Sequence, residues 1–428
     1  MAKIKQVIAY EILDSRGNPT IETTVVLHDG SMGTASVPSG ASTSSYEVAE
    51  LRDKDEGRYK GMGVQKAIEN INKILGPGLS GAEASHQQHI DKMMIELDGT
   101  QNKSRLGGNA ILSVSMAIAK AAAKSAVLPL YLYLRQFINR ENVTLRVPTP
   151  LFNILNGGQH AGRNVDFQEF IVTPATSKSF SEGLLTGSNI YNSLKEVMRE
   201  KNYTTLTGDE GGFAPPLSSN LDALALIKDA IARTSSHLGF DIFMGIDIAA
   251  NSFYQNQNYH LSDHSSQLSP KNLAEFYASL LATYPLLYLE DPFAEDDWEG
   301  WEEFAKVSHK DLMVVGDDLV STNPFRLQMA LDKNIISGVI IKPNQIGTVI
   351  EAMAVVEVAR AAGLKTIVSH RSGETNDDFI ADFAVAVSSD YVKFGAPAHG
   401  ERVAKYNRLL HIEKQLKSLE SQGNVLGE

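Results

Sequence analysis

The sequence predicts an α/β chain in which a closed β/α barrel carries the chemistry and a smaller α+β domain precedes it. Three observations predict this. Between residues 243 and 393, short apolar runs each end on a charged or polar side chain: FMGI before Asp247, LLYL before Glu290, LMVVG before Asp317, VII before Lys342, TIV before Ser369 and His370, and YV before Lys393. Continuous apolar runs of this length are what a strand buried on both faces requires. From Glu290 onward these ends recur about every 25 residues, the length of one strand, one helix and two loops, so the units are βα repeats. The first 37 residues instead alternate apolar and polar side chains, the pattern of a half-buried antiparallel sheet. Closing the later units into a barrel gathers their strand ends on one face, where three carboxylates meet two lysines.

In chain order, residues 4–37 form an antiparallel meander with turns at Gly17-Asn18-Pro19 and Asp29-Gly30. The small, hydroxyl-rich loop 37–45 is expected to be a lid, because glycine and serine supply hinge freedom and hydroxyls can reach a ligand. Residues 46–53, 64–75, 86–97 and 110–134 are expected to be helical. The last tract is Ala-rich, but Lys120, Lys124 and Pro129 interrupt it, so it is a core helix pair and not a membrane span. The first domain is expected to span 1–141 and the barrel 142–428. A polar hairpin is expected in 251–266. Asp296, Asp297 and Trp298 are expected to start a helix, and Asp209, Asp291 and Asp318 to cap helices. Residues 402–422 form a charged amphipathic helix expected on the barrel exterior.

The bulk numbers narrow the function. The 428 residues carry a net charge of −12 and a pI near 5.5, which argues against nonspecific binding to nucleic acid or insertion at an anionic membrane. With no cysteine there is no disulfide scaffold or thiolate metal site, which is compatible with a cytoplasmic location, and Met1–Gln6 begin no signal peptide. No His/Cys cluster has zinc-ligand spacing.

Nine motifs in order then carry a resemblance: DSRGNPT at 14–20, PSGAST at 38–43, QEF at 168–170, GDEGGFAP at 208–215, EDPF at 290–293, GDDL at 316–319, Lys342 with NQIG at 344–347, SHRSGET at 369–375 and AKYN at 404–407. Along nearly its whole length the sequence resembles the enolases. The resemblance implies an enolase-type modified, TIM-like β/α barrel with an early antiparallel strand, an N-terminal α+β capping domain, and reversible dehydration of 2-phospho-D-glycerate to phosphoenolpyruvate. It also implies two Mg²⁺ per active site, at least a dimer, and a cytoplasmic protein; a cell-surface or secreted fraction is compatible with it. Position by position, it implies Lys342 as general base and Glu210 as general acid. Asp247, Glu290 and Asp317 would be ligands of one magnesium, with the Ser39 loop helping to hold a second. His160, Gln168, Glu169, Ser369, His370, Arg371, Ser372 and Lys393 would contact substrate. Departures fall at Ser44 and Ser45, Asn251-Ser252, Pro343, Phe394 and Gly400.

Elementary chemistry agrees with those residue types. Removing a proton beside a carboxylate builds a second negative charge there, which divalent cations stabilise, and the enolase superfamily is a known case of a lysine or histidine base working with one or two Mg²⁺. Neighbouring cations are expected to lower the Lys342 pKa, and Glu169 to raise that of Glu210. The alternatives are an enolase-fold surface or RNA-processing interaction protein with altered or secondary catalysis, and a relative acting on another α-proton acid. The second usually has a Lys-x-Lys or His-Asp base arrangement, which the lone Lys342 lacks.

Overall fold

The computed structural model describes residues 2–41, 44–141 and 143–421. Ser42 and Thr43 of the expected lid and Gln422 of the expected last helix lie outside them. The meander forms as expected: β1 (Ile4–Leu13), β2 (Pro19–Leu27) and β3 (Met32–Ser36) pair antiparallel in that order. Helices α1 (Gln65–Asn70) and α2 (Gly76–Leu79), joined by a π-helical turn over Ile71–Leu75, lead to α3 (Gln87–Asp98), α4 (Gly108–Ser125) and α5 (Leu130–Leu134). Helix α4 is buried nearly all round because it lies on the sheet and against the barrel. Gly33 permits the approach, since a Cβ there would sit 2.2 Å from the Ala117 carbonyl oxygen. Among the described residues no single helix is long and apolar enough to cross a membrane, and α4 and the segment after it are bent by 105°.

The barrel follows: β4 (Thr149–Asn156), β5 (Glu169–Pro174), α6 (Phe180–Glu200), α7 (Asn220–Ala232), β6 (Ile242–Asp247), a hairpin of β7 (Tyr254–Gln255) and β8 (Asn258–Tyr259), α8 (Pro270–Thr283), β9 (Leu286–Glu290), α9 (Trp298–Val307), β10 (Met313–Gly316), α10 (Pro324–Lys333), β11 (Gly338–Ile341), α11 (Pro343–Ile346), α12 (Val349–Ala361), β12 (Lys365–Ser369), α13 (Phe379–Ala386), β13 (Tyr391–Lys393) and α14 (Gly400–Ser421). The ring closes in the order β10-β11-β12-β13-β4-β5-β6-β9. All neighbours pair parallel except β5, which is antiparallel to both β4 and β6. Helices α6, α7, α8, α9, α10 and α12 each start on a Ser, Asp, Asn or Thr side chain that accepts a first-turn amide, Asp297 of α9 among them.

One expectation fails here. Residues 46–53 are not helical, because their amides go to distant partners: Val48 to the Gln345 carbonyl, Ala49 to that of Asn102 and Asp53 to that of Gly63. The first barrel strand, β4, begins at Thr149. Proline is tolerated at a strand start, and Pro150 is paired with Val392.

The N-terminal helices grip the barrel loop behind Lys342. Buried Asp91 of α3 accepts from Gln87 Nε2 (3.0 Å), Ser115 Oγ (2.8 Å) and the Ile350 amide (3.1 Å), while Ser115 Oγ accepts from the Val349 amide at 3.2 Å. These side chains satisfy donors at the start of α12. Burial pushes the Asp91 carboxyl up to about 7 from an ordinary 3.8. Between those values the folded protein holds a proton that the unfolded chain has lost, so stability falls as pH rises. Asp91→Asn, which cannot ionise, is expected to flatten this slope between about pH 4 and 7 in denaturant titrations at stepped pH.

Candidate active site

The barrel interior is built in layers, and the layer below the site is apolar. One face is lined by Leu151, Ile171, Tyr288, Val315, Ile340, Ile367 and Tyr391. On β6 the corresponding position is Gly245, where a Cβ would come 2.7 Å from Tyr288 Cβ. Side chains two residues apart on a strand share a face. The next layer is therefore Asn153, Asp247, Glu290, Asp317, Lys342, Ser369 and Lys393 on the seven strands that run one way. On β5, which runs the other way, it is Glu169, two residues before Ile171. The antiparallel strand puts its first residue, not its last, on the rim. Pairing sets Glu169 opposite Asp247 and Asp247 opposite Glu290.

Loops complete the wall with His160, Gln168, Glu210, His370, Arg371 and Ser372, and Ala41 from the N-terminal loop also lines the cleft. Glu210 comes from the loop that bridges to β4 through Phe213 and Leu155. Its Oε2 accepts from Asn153 Nδ2 at 2.9 Å and lies 3.2 Å from His370 Nε2, and its Oε1 is 3.5 Å from His160 Nδ1. A carboxylate oxygen of Glu169 lies within 4.8 Å of His160 and Glu210 ligand atoms. Asp291, at φ +41°, accepts the amides of Asp317 (2.9 Å) and Asp318 (2.7 Å). It therefore braces the rim and caps no helix, contrary to expectation. Asp318 accepts from Asn251 at 3.0 Å and Asp209 offers its carbonyl to Arg402, so neither shows the expected cap.

The two lysines neutralise this rim. Lys393 Nζ lies 2.8 and 2.9 Å from the Glu290 oxygens and 3.2 Å from both Asp247 Oδ2 and Glu169 Oε1. Burial opposes its charge, but the carboxylates of Asp247, Glu169 and Glu290 outweigh that and hold the ammonium well above its ordinary value. Glu290 is pushed up to about 8 by burial and by Asp247. Lys342 Nζ pairs with Asp317 Oδ2.

Two expected ionisations are reversed. Burial disfavours the charged form of Lys342, yet Asp317 outweighs burial and raises its pKa. The expectation had counted only cationic neighbours. Burial alone would raise the Glu210 pKa as expected, but the facing His160 and His370, with Arg402 behind, hold it well below the usual range. The raised partner is Glu169, through burial and the Glu210 charge. Of the two, Glu169 is therefore the more readily protonated in this arrangement.

Of the residues chosen from the sequence, Ser39 is turned elsewhere and Arg371, in the cleft wall, is already engaged. Ser39 Oγ donates to Glu50 Oε2 (3.2 Å) and accepts from Arg52 Nη2 (2.9 Å), while its backbone pairs with Gly373; its hydroxyl does not line the cleft as expected. The Arg371 fork engages Glu47 at 2.9 and 3.1 Å. Glu47 was not singled out in the sequence, nor was buried Arg402 of α14. Neither carries a local signal, because both act from segments distant in sequence.

Magnesium takes hard oxygen ligands. Asp247, Glu290 and Asp317 supply such oxygens, and Asp247 Oδ1 is buried with no hydrogen-bond partner among the described residues. Among those residues six carboxylates against three cationic side chains line the cleft, an excess of negative charge suited to a cation. In this arrangement Lys393 bridges Asp247 and Glu290, while Asp317 pairs with Lys342 and also groups with Asp291 and Asp318. The donor set fits the metal, with Lys393 as the group that a cation would displace.

Residues 144–424 match the family model described as enolase, C-terminal TIM barrel domain, and residues 4–134 match that described as enolase, N-terminal domain. With a closed barrel whose second strand runs backwards and an acidic rim at its mouth, the chain belongs to the enolase family.

Proposed function

We propose that this chain catalyses the reversible, Mg²⁺-dependent dehydration of 2-phospho-D-glycerate to phosphoenolpyruvate and water. The observation that carries the reading is the placement of an amine and a carboxyl across one cleft. Lys342 directly follows β11, and the Glu169–Glu210 pair sits at β5 and beside β4, on the far side of the ring. A base on one face of a carbon pair and an acid on the other suit proton removal from one carbon and departure of hydroxide from its neighbour.

In this mechanism Lys342 Nζ, once neutral, takes the proton from the carbon beside the carboxylate. A proton held by the Glu169–Glu210 pair passes to the leaving hydroxide from Glu210. Lys393 faces the substrate carboxylate, and Arg371 with Ser372 receives the phosphate, for which a guanidinium fork is well shaped. Since Glu47 engages that fork here, the phosphate must take its place. Asp247, Glu290 and Asp317 would hold magnesium, which when bound offsets the charge that builds on the substrate carboxylate. The reading includes the assembly of at least two copies and a cytoplasmic setting.

The test is direct. Purified protein with Mg²⁺ and 2-phosphoglycerate is expected to develop the ultraviolet absorbance of the conjugated enol phosphate, and chelation with EDTA to stop it. Folded, magnesium-supplied protein that stays silent overturns the reading.

A further inference from the structure

Arg402, at the start of α14, was read from the sequence as part of an exterior helix, but its side chain is completely buried. Its Nη1 reaches the Arg371 carbonyl (2.5 Å) and His370 Nδ1 (2.8 Å), and its Nη2 reaches the carbonyls of Ser372 (2.5 Å) and Asp209 (3.0 Å). One rigid guanidinium therefore ties together the loop that carries Glu210 and the loop that carries His370, Arg371 and Ser372. We propose that Arg402 is a positioning residue for the acid side of the site: it sets the tautomer of His370 and so puts the imidazole proton on the ring nitrogen nearer Glu210.

Donor counting fixes the tautomer. A guanidinium has five N–H donors and no acceptor, so a ring nitrogen facing it must accept. His370 Nδ1 is then unprotonated, and in the neutral ring the proton lies on Nε2. That nitrogen lies 3.2 Å from Glu210 Oε2, the oxygen that accepts from Asn153, and makes no aligned hydrogen bond among the described residues, so its proton is directed by Arg402 alone. The groups facing the imidazole are Glu210 from its loop, Arg402 from α14 and Lys393 from β13. Burial pushes His370 down to about 3, aided by Arg402 and Lys393 and opposed by Glu210, so the ring stays neutral and its tautomer is the variable that matters. The fit is close: a Cβ at Gly395, which is at φ +83°, would come 2.9 Å from His370 Cε1 and 3.1 Å from Arg402 Cδ, so the ring and the guanidinium are packed against this backbone.

This inference rests on the proposed dehydration only for its kinetic consequence. The experiment is nitrogen NMR of full-length protein labelled at histidine, with His370 assigned through His370→Gln, for wild type, Arg402→Gln and Arg402→Lys. Wild-type His370 is expected to show the Nε2–H tautomer at neutral pH. Arg402→Gln is expected to lose that single signature and to lower kcat by on the order of tenfold or more, as loss of an orienting partner does, with a shifted acid limb of the pH profile. Arg402→Lys, which still places a donor at Nδ1, is expected to recover the tautomer. A wild-type Nδ1–H or cationic ring overturns the proposal, as does an Arg402→Gln protein with unchanged tautomer and pH profile. If Arg402→Gln fails to fold, the wild-type and Arg402→Lys spectra still decide. A wild-type protein that shows the tautomer but does not dehydrate 2-phosphoglycerate defeats the proposed reaction and leaves the role of Arg402 standing.

Discussion

Lys342→Ala is expected to lower kcat for the dehydration by about 10³- to 10⁴-fold, the contribution of a positioned general base, while leaving far-ultraviolet circular dichroism unchanged. The lysine directly follows a four-residue strand, and Pro343 behind it starts α11, so the side chain is committed to the cleft by backbone on both sides. Its partner Asp317 keeps the amine charged in this arrangement, and a charged amine takes no proton. Catalysis therefore requires Asp317 to find another cation, which links the base to the metal site. Lys342→Arg is expected to be as inactive as the alanine variant, because a guanidinium does not deprotonate in the working range. Steady-state assays of both variants, with calorimetry to show that Mg²⁺ still binds, check the assignment. Either variant keeping more than a tenth of the wild-type kcat removes Lys342 from the role of base.

Lys393→Met is expected to destabilise the metal-free protein by about 3–5 kcal/mol, the loss that follows when one partner of a buried ion pair is removed. Methionine keeps most of the length and the apolar stem, so the lost element is the ammonium held among Glu169, Asp247 and Glu290. All three carboxylates are nearly inaccessible to water, and only protonation could relieve their mutual repulsion. Added Mg²⁺ is expected to restore more stability to the variant than it adds to the wild type, since a divalent ion can replace the missing charge without first displacing an amine. Denaturant unfolding with and without Mg²⁺ measures both effects. Equal gains in the two proteins would separate Lys393 from the metal site, and an unshifted midpoint in the metal-free variant would show that the ammonium does not hold the rim together.

Much of the site was legible because strand ends announce themselves. An apolar run that stops on Asp247, Glu290, Asp317, Lys342 or Lys393 can satisfy the charge only at the mouth of the barrel, so sequence order and spacing place those residues on one rim. Glu169 was legible only through the QEF motif, since its strand runs backwards and its charge precedes the apolar run. The failures have a common cause. Ser39, Glu47 and residues 46–53 belong to a segment whose amides and side chains bond to residues far along the chain, and no local pattern encodes such partners.

The sequence by itself therefore determined the βα repeat, the enolase resemblance and which residue types meet at the barrel mouth, because periodicity and strand-end chemistry are local. Only the tertiary structure decided which charge neutralises which. It put Lys393 on Asp247 and Glu290, Lys342 on Asp317, Glu169 beside Glu210, and Arg402 beneath both loops. The reason is physical: in a buried cluster a protonation state depends on distance and desolvation among groups from many strands, and those quantities exist only once the ring has closed.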